Sequence, residues 1–344
     1  MIKPKKLKVG DTVAVISPSW GGPSIFPHIY ENGVKYLQQL GLKVKEYPST
    51  KKDDDFLFKN PKFRAKDINN AFEDKGIKAI FASIGGNDSI KILPYLNLEI
   101  ILNNPKIIMG YSDTSTLLTY LNQNGLVTLH GPSIMAGFCQ YKYLGPQFQS
   151  HIKDILFNNS NNYQYKKYTK FCHGYLNWSN LSNVGKTNPM IQNSGWTWLQ
   201  GNSTIEGKLF GGCIETLEQL KDTPFFPDAN FWTNKVLFLE TSEEKTNLNI
   251  IKSILYDYGK RQIFDKISAL LIGRARDYSK KEKLELDCLI LEIIRKQFKN
   301  KTIPIITNMD FGHTDPQWIL PLGINAKINC IDQEFQLSEK IFKD

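Results

Sequence analysis

Residues 106–113 read Lys-Ile-Ile-Met-Gly-Tyr-Ser-Asp and join a short apolar run to the helical pattern of residues 114–121. A buried strand that turns sharply into a helix is typical of parallel α/β sheets. The serine of this turn, Ser112, is expected to stand clear of the sheet beside the first free amides of the helix, which attract negative charge. Nucleophilic serines of acyl-transfer enzymes are commonly placed in this way. Taken alone, the turn is better explained as a helix N-cap formed by Ser112 or Asp113.

The same alternation extends over the first 130 residues. Short apolar runs predict strands at residues 12–17, 42–47, 78–84 and 127–129. Helical spacing predicts helices at residues 29–40, 63–72 and 88–96, the last of them capped by Asp88 or Ser89. This order predicts a mostly parallel sheet with helices on both faces. Sites in such sheets form beyond the carboxyl ends of the strands, where both Gly85-Gly86 and Ser112 lie.

The α/β pattern stops near residue 141 and resumes at Thr204. The stretch between is rich in Asn, Tyr, Trp and Ser. We therefore predict an N-terminal α/β domain over residues 1–150, an aromatic-rich connection over 151–203 and a second α/β domain over 204–344. In the second domain, strands are predicted at 205–210, 235–239, 267–272, 304–307 and 326–330, and helices at 213–220, 248–258 and 281–298.

Composition places the protein among soluble, cytoplasmic proteins. Of its 344 residues, 41% are hydrophobic and 22% are charged, and no apolar run is long enough to span a bilayer. The charged N-terminus is not followed by the apolar segment of an export signal. The five cysteines are scattered without C-x-x-C spacing, which argues against a disulfide framework and against a zinc site.

Two further residues are expected at strand ends. Glu240 closes the apolar run 236–239, and His313 lies in a loop after the predicted strand 304–307. Serine needs a base to become a nucleophile, histidine titrates near neutrality, and a carboxylate orients the imidazole. The chain order Ser, acid, His is one that such triads use on α/β folds. His130, also at a strand end, is the main rival base. Taken alone, Glu240 is also explained as a surface carboxylate at a strand end, as Glu243 and Glu244 nearby illustrate, and His313 as a loop histidine with its hydrogen bonds satisfied.

In order along the chain, these motifs resemble the LD-carboxypeptidase family of serine peptidases, which includes the microcin C immunity proteins. The matching stretches are residues 10–19 (GDTVAVISPS), 83–88 (SIGGND), 109–113 (MGYSD), 206–212 (EGKLFGG), 239–244 (LETSEE) and 311–316 (FGHTDP). Each motif alone is weakly specific, but together they cover nearly the whole chain.

The resemblance implies a triad of Ser112, Glu240 and His313, with an oxyanion hole formed by the backbone amides of Gly86 and Asp113. It implies a Rossmann- or flavodoxin-like N-terminal domain and a C-terminal domain of the swivelling β/β/α type. Members of the family are usually homodimers that work in the cytoplasm without a metal or other cofactor.

The family has two branches. One hydrolyses aminoacyl-nucleotide antibiotics and confers immunity, and the other removes the terminal D-alanine of muropeptides during cell-wall recycling. The aromatic connection and the motifs around Glu240 and His313 look more like the first branch. Trp196 or Trp198 is a candidate to stack on a nucleobase, although packing onto the core explains both tryptophans equally well. The expected partner is a small peptide or an aminoacyl-nucleotide substrate, with no membrane.

Two other functions compete with hydrolysis. A non-catalytic α/β module that holds an anion at its helix N-termini explains Ser112 and Gly85-Gly86, but it leaves Glu240 and His313 without a role. Nucleic-acid binding rests only on the net charge of +9. The lysines are dispersed, so we expect no nucleic-acid partner.

Overall fold

The computed structural model describes residues 1–343, which form three sheets with helices between them. The strands are β1 Thr12–Ile16, β2 Lys43–Glu46, β3 Ile77–Ala82, β4 Ile107–Gly110, β5 Thr128–His130, β6 Lys170–His173, β7 Ile191–Gln192, β8 Thr197–Gln200, β9 Thr204–Cys213, β10 Lys235–Glu240, β11 Ala269–Gly273, β12 Ile305–Met309, β13 Thr314–Asp315, β14 Leu320–Leu322, β15 Asn325–Asn329 and β16 Glu334–Leu337.

Ten α-helices lie within residues 1–343. They are α1 Gly22–Ile25, α2 Pro27–Gln39, α3 Asp54–Lys59, α4 Pro61–Glu73, α5 Leu98–Asn103, α6 Ser115–Gln123, α7 Gly145–Lys153, α8 Ile214–Glu218, α9 Leu248–Lys260 and α10 Lys280–Leu291. Short 3-10 turns occur at Pro48–Lys51, Ser89–Tyr95, Ser112–Thr114 and Leu181–Asn183, and π turns at Asp154–Asn158 and Glu292–Gln297. None of the helices in this part of the chain is both long enough and apolar enough to cross a bilayer.

The first sheet confirms the predicted parallel α/β architecture. Its strand order is β14-β5-β4-β3-β1-β2, and all pairs from β5 to β2 are parallel. Helix α4 contacts β1 and β3, whereas α6 contacts β4 and β5. The carboxyl ends of β3 and β4 therefore lie side by side, and the loops that follow them carry Gly85-Gly86 and Ser112.

The second sheet is separate, as expected for a C-terminal α/β domain. Its order is β16-β15-β9-β10-β11-β12-β8, with parallel pairing from β9 through β12. Strand β8, which comes from the connection, pairs antiparallel with β12. Strand β14, which comes from the C-terminal part of the chain, pairs antiparallel with β5 of the first sheet. The two sheets are thus tied together by strands that cross from one part of the chain to the other.

Aromatic side chains pack the connection onto the rest of the molecule. Tyr165 stacks on Phe335 with ring centroids 4.6 Å apart, and it also packs against the buried Trp318 at 4.9 Å. The Tyr165 hydroxyl donates to the carbonyl of Ile319 at 2.8 Å. The connection also supplies β6 and β7, which form a small sheet with β13 directly after His313.

One predicted helix is wrong in type and in its cap. Residues 89–95 form a 3-10 turn that contains Pro94, a residue that cannot donate the hydrogen bond a continuing α-helix would need. Asp88 does not cap this turn. Its carboxylate instead binds the buried guanidinium of Arg64, with N–O distances of 2.7 and 2.9 Å.

Candidate active site

Ser112 occupies a strained turn immediately after β4. Its φ angle is +59°, a left-handed conformation that a non-glycine residue adopts at a cost of about 1–3 kcal/mol. A Cβ on Gly85 would lie 3.0 Å from the Ser112 Oγ, so only glycine fits opposite the hydroxyl. Neither Ser112 nor Asp113 makes a side-chain cap of the following helix, so the N-cap explanation of this turn is wrong. The turn therefore places the Ser112 side chain at the carboxyl edge of the sheet, opposite Gly85.

The Asp113 carboxylate joins the Ser112 turn to the loop after β3. Its Oδ2 accepts backbone hydrogen bonds from Asp88 at 3.1 Å and Ser89 at 2.8 Å. The Ser89 hydroxyl donates to the Asp113 carbonyl at 2.6 Å. Burial raises the pKa of this carboxyl, while hydrogen bonds from Ser19 and Ser89 oppose the rise. The sequence indicates a role only for the backbone of Asp113, because the pairing of its side chain with the β3 loop is visible only in three dimensions.

Gly86 is held in place from the other side by Ser19. Its φ angle is +151°, and a Cβ at this position would lie 2.1 Å from the Ser19 Oγ. That hydroxyl accepts from the Asn87 amide at 3.1 Å and donates to the Asp88 carboxylate at 3.2 Å. With the Arg64–Asp88 pair behind it, the Gly86 loop is fixed by buried polar contacts.

Glu240 and His313 form a hydrogen-bonded pair. Glu240 ends β10 with its side chain fully buried, and its Oε2 accepts from Nδ1 of His313 at 2.6 Å. A Cβ on Gly312 would lie 2.8 Å from this carboxylate oxygen, so a glycine is needed where the His313 loop crosses the strand end. Burial raises the pKa of Glu240, and the neighbouring His313 opposes the rise.

A second carboxylate, which sequence analysis treated as an ordinary surface group, contacts the other ring nitrogen. Glu243 Oε2 lies 2.8 Å from His313 Nε2, close enough for an ion pair but not aligned as a hydrogen bond. Burial disfavours the charged imidazole, but Glu240 and Glu243 outweigh it and raise the pKa of His313 to about 10. The contact with His313 lowers the pKa of Glu243 to about 2. Among residues 1–343, no hydrogen bond joins His313 to Ser112.

His130, the rival base, lies behind the pocket. Its ring packs edge-on against Tyr111 at 6.3 Å and Phe238 at 5.4 Å. Burial and the nearby charge of His313 lower the pKa of His130 to about 3, and neither ring nitrogen has a hydrogen-bond partner among the described residues. It is a neutral packed imidazole and does not line the cavity that holds Ser112.

Ser112 and His313 open into one cavity of about 640 Å³. Gly85 and Gly86 line it, together with five aromatic residues that we call the aromatic wall: Trp20, Phe26, Tyr111, Tyr175 and Trp178. Trp20 and Trp178 are nearly parallel, with an interplanar angle of 17° and centroids 6.4 Å apart. The charged lining residues are Asp54, Glu243, Glu244 and Arg276. The cavity therefore combines a nucleophile, a histidine, flat aromatic surface and an excess of negative charge.

Trp196 and Trp198 do not line this cavity. Trp196 packs edge-on against Trp318 at 5.1 Å, and its Nε1 donates to Asp310 Oδ2 at 2.9 Å. Asp310 also binds the buried Arg274 at 2.5 Å and begins the loop that carries His313. Trp196 thus supports that loop, while Trp178, which sequence analysis did not single out, is the tryptophan of the connection that reaches the cavity. No local pattern marks Trp178, because its position depends on how the whole connection packs.

Comparisons with known proteins agree with the fold and with the motifs. Profiles of the LD-carboxypeptidase N-terminal and C-terminal domains match residues 13–131 and 206–328. The microcin C7 self-immunity protein MccF of Escherichia coli is 28% identical over 97% of this chain and 95% of its own length. A probable murein peptide carboxypeptidase of Bacillus subtilis is 27% identical over 96% of this chain and 92% of its own length.

A solved structure supports the same relationship. MccF in complex with glutamyl sulfamoyl guanosine superimposes with a TM-score of 0.87 at 27% identity, and the match covers 100% of both chains. The two domain profiles together span more than half of this sequence and fall on the two sheets described above. The chain belongs to the LD-carboxypeptidase family of peptidases.

Proposed function

We propose that this protein is a serine peptidase in which Ser112 is the nucleophile, His313 the general base and Glu240 the group that orients the histidine. The observation that carries the proposal is the 2.6 Å hydrogen bond from His313 Nδ1 to Glu240. It fixes the tautomer and leaves Nε2 as the nitrogen for proton transfer, on a ring that lines the same cavity as Ser112.

The reaction is acyl transfer. Nε2 of a neutral His313 takes the Ser112 proton as Oγ attacks the substrate carbonyl, and the imidazolium then protonates the leaving nitrogen. Water, deprotonated by His313, attacks the acyl-enzyme and releases the acid. Buried Glu240 stabilises the imidazolium that forms in each half-reaction.

The backbone amides of Gly86 and Asp113 are proposed to bind the oxyanion. Support comes from the close approach of the two loops: a Cβ on Gly85 would lie 3.5 Å from the Asp113 nitrogen. Asp113 also binds the loop of Gly86 through its carboxylate, so the two donors are held rigidly relative to each other. Rigid donors stabilise a developing charge without a reorganisation cost at the moment of reaction.

For the substrate, we propose an aminoacyl group linked to a nucleotide-like leaving group. The parallel pair of Trp20 and Trp178 offers a flat apolar surface beside Ser112, and nucleobases stack on such surfaces with about 1–3 kcal/mol per base. The related MccF binds glutamyl sulfamoyl guanosine. The alternative is removal of the terminal D-alanine of a muropeptide, and the similarity of this chain to a probable murein peptide carboxypeptidase of Bacillus subtilis supports it.

The decisive experiment compares Ser112→Ala with Ser115→Ala. We expect Ser112→Ala to lose several orders of magnitude in turnover, by analogy with other triads. Ser115 lies one turn further along, where its hydroxyl accepts from the Cys213 amide at 3.1 Å, so Ser115→Ala should keep hydrolysis. Full activity of Ser112→Ala would refute the proposal.

The branch is tested with two substrates on one preparation: an aminoacyl sulfamoyl-adenosine and an L,D-tetrapeptide. Cleavage of only the tetrapeptide would overturn the proposed substrate class but not the triad.

A covalent serine probe addresses the non-catalytic alternative, since an anion-binding module would not be labelled at Ser112. A cytoplasmic homodimer is part of the proposal, and sedimentation of the purified protein tests the oligomeric state.

A further inference from the structure

The contact between Glu243 and His313 occupies the atom that the proposed mechanism needs. Nε2 must be unprotonated and face Ser112 to accept its proton. In the structure, Glu243 Oε2 lies 2.8 Å from that nitrogen, and Ser112 makes no hydrogen bond to it. An imidazole flanked by carboxylates on both nitrogens is held as an imidazolium, which cannot act as a base.

We propose that Glu243 is a latch that keeps His313 protonated until a substrate bearing a free ammonium near its scissile carbonyl draws the carboxylate away. The inference rests on the proposed function, because it assigns Glu243 a role in selecting the acyl group for the Ser112 reaction. Glu243 is a specificity and positioning residue in this scheme, not the nucleophile or the base.

The charges of the cavity favour such a substrate. Three carboxylates line it, those of Asp54, Glu243 and Glu244, against two cations, the guanidinium of Arg276 and the imidazolium of His313. Arg276 also pairs with Asp277 at 3.2 Å, which offsets part of its charge. A protein of net charge +9 thus carries an acidic active-site cavity. Such a cavity concentrates cations, and an ammonium can replace the imidazolium as the partner of Glu243 without leaving the carboxylate unpaired.

The backbone of the loop that carries Glu243 is held in place, so any movement is confined to side chains. Glu215 holds one side of it by accepting from the Ser242 amide at 3.1 Å, and holds the other through the hydroxyl of Thr246. Lys245 is tied to Glu282 at 2.8 Å. The Glu243 side chain, which lines the cavity and is 48% exposed, can therefore rotate away from His313 while its backbone stays fixed, whereas the His313 side chain is only 3% exposed.

The proton balance of the latch is simple. When Glu243 leaves, the imidazolium releases the Nε2 proton to water, and the Nδ1 proton remains on the hydrogen bond to Glu240. Neutral Nε2 then accepts the Ser112 proton. No bond to the substrate forms or breaks in this step, and the ammonium of the substrate keeps its own protons.

Several groups set the protonation of His313. Glu240 and Glu243 contact it directly, and Tyr111 packs against its ring at 4.9 Å from β4. The charge of His313 in turn lowers the pKa of His130 on β5 and opposes the rise in the pKa of Asp315 on β13. Glu240 contributes more than Glu243 to the raised pKa of His313. Of the two carboxylates, only Glu243 has a half-exposed side chain, so its contribution is the one that can change.

The first test measures how fast a small uncharged fluorophosphonate labels Ser112 as a function of pH. Glu243→Gln should move the midpoint of the rising limb at least about one unit lower than in the unmodified protein, because the base is no longer held protonated. Glu244→Gln, which removes the same charge from the same cavity without touching His313, should leave the midpoint in place. Equal midpoints in all three proteins would overturn the latch while leaving the triad intact, whereas no labelling of Ser112 in any of them would refute the proposed function.

The second test compares an aminoacyl sulfamoyl-adenosine with its N-acetylated form. The unmodified protein should have the higher kcat/KM for the substrate with the free amine. Glu243→Gln should reduce this ratio of kcat/KM values at least about tenfold, because kcat/KM for the acetylated substrate rises. If the role of Glu243 were only structural, Glu243→Gln would lower kcat/KM for both substrates by the same factor. An unchanged preference in Glu243→Gln would overturn the proposal.

Discussion

The two sides of the active site are built differently. On the nucleophile side, the turns of Gly86 and Ser112 are locked by glycine contacts and by a buried chain of polar groups, Arg64, Asp88 and Asp113. On the base side, His313 has one fixed partner, buried Glu240, and one half-exposed partner, Glu243. A strained nucleophile needs a rigid frame to stay strained, whereas a base whose protonation is controlled needs a partner that can leave.

The largest expected effect concerns the fixed partner of the base. Glu240→Gln should lower kcat by about 10⁴-fold, since glutamine keeps the shape but neither fixes the tautomer nor stabilises the imidazolium. Steady-state kinetics together with a thermal melt check this, because a change confined to catalysis leaves the folded structure intact. A loss below about tenfold would mean that Glu243 can replace Glu240 as the orienting carboxylate.

The rigid frame is tested next, through Arg64→Met. The fully buried side chain of Arg64 binds both oxygens of Asp88 and donates to the Pro18 carbonyl at 2.9 Å. Its removal leaves the Asp88 carboxylate with only the half-exposed Lys91, at 3.5 Å, as a counter-charge, so the free energy of unfolding should fall by about 3 kcal/mol. Urea denaturation measures the change.

The matched control for Arg64 is Lys59→Met, which breaks the exposed pair with Asp55. That variant should stay within about 1 kcal/mol of the unmodified protein. If both variants lost the same small amount, the Gly86 loop would not depend on the buried pair, and the contrast between a locked and an adjustable side would fail.

The smallest effect is expected at the aromatic wall, with Trp178→Leu. Loss of one stacking surface should raise KM for an aminoacyl sulfamoyl-adenosine about tenfold to a hundredfold, with kcat little changed. The rate of Ser112 labelling by a small probe should stay constant, because the probe does not use the wall. A fall in labelling equal to the fall in kcat/KM would instead show that Trp178 supports the loop of Gly86.

Much of the fold was predictable because local hydrophobic patterns in the sequence determine where its strands form. The apolar runs that end at Gly110 and Glu240 form strands within a residue or two of their predicted bounds. Parallel strands bring their carboxyl ends to one edge, so residues distant in sequence were expected to approach one another there. The hydrogen bond between Glu240 and His313, 73 residues apart, follows from that rule.

What could not be predicted depends on contacts between distant loops. The pairing of Leu320–Leu322 with β5 joins segments nearly 200 residues apart, and no alternation within three residues indicates a partner. Trp178 and Trp196 lie in the same aromatic connection, yet only the packing of that connection sends one to the cavity and the other to Asp310. Asp88 looks like a helix cap in sequence, and only the folded chain brings Arg64 to it.

The sequence by itself determined the family, the parallel strands of the two large sheets and the residue types at the strand ends, because these depend on local periodicity and on short motifs. The tertiary structure alone showed that Glu243 also meets His313 and how the two carboxylates differ. Glu240 and Glu243 differ by three positions and are the same residue type, but one ends a buried strand and the other lies on a loop held by Glu215. Burial and the direction of approach, which no single segment encodes, separate the fixed partner from the movable one.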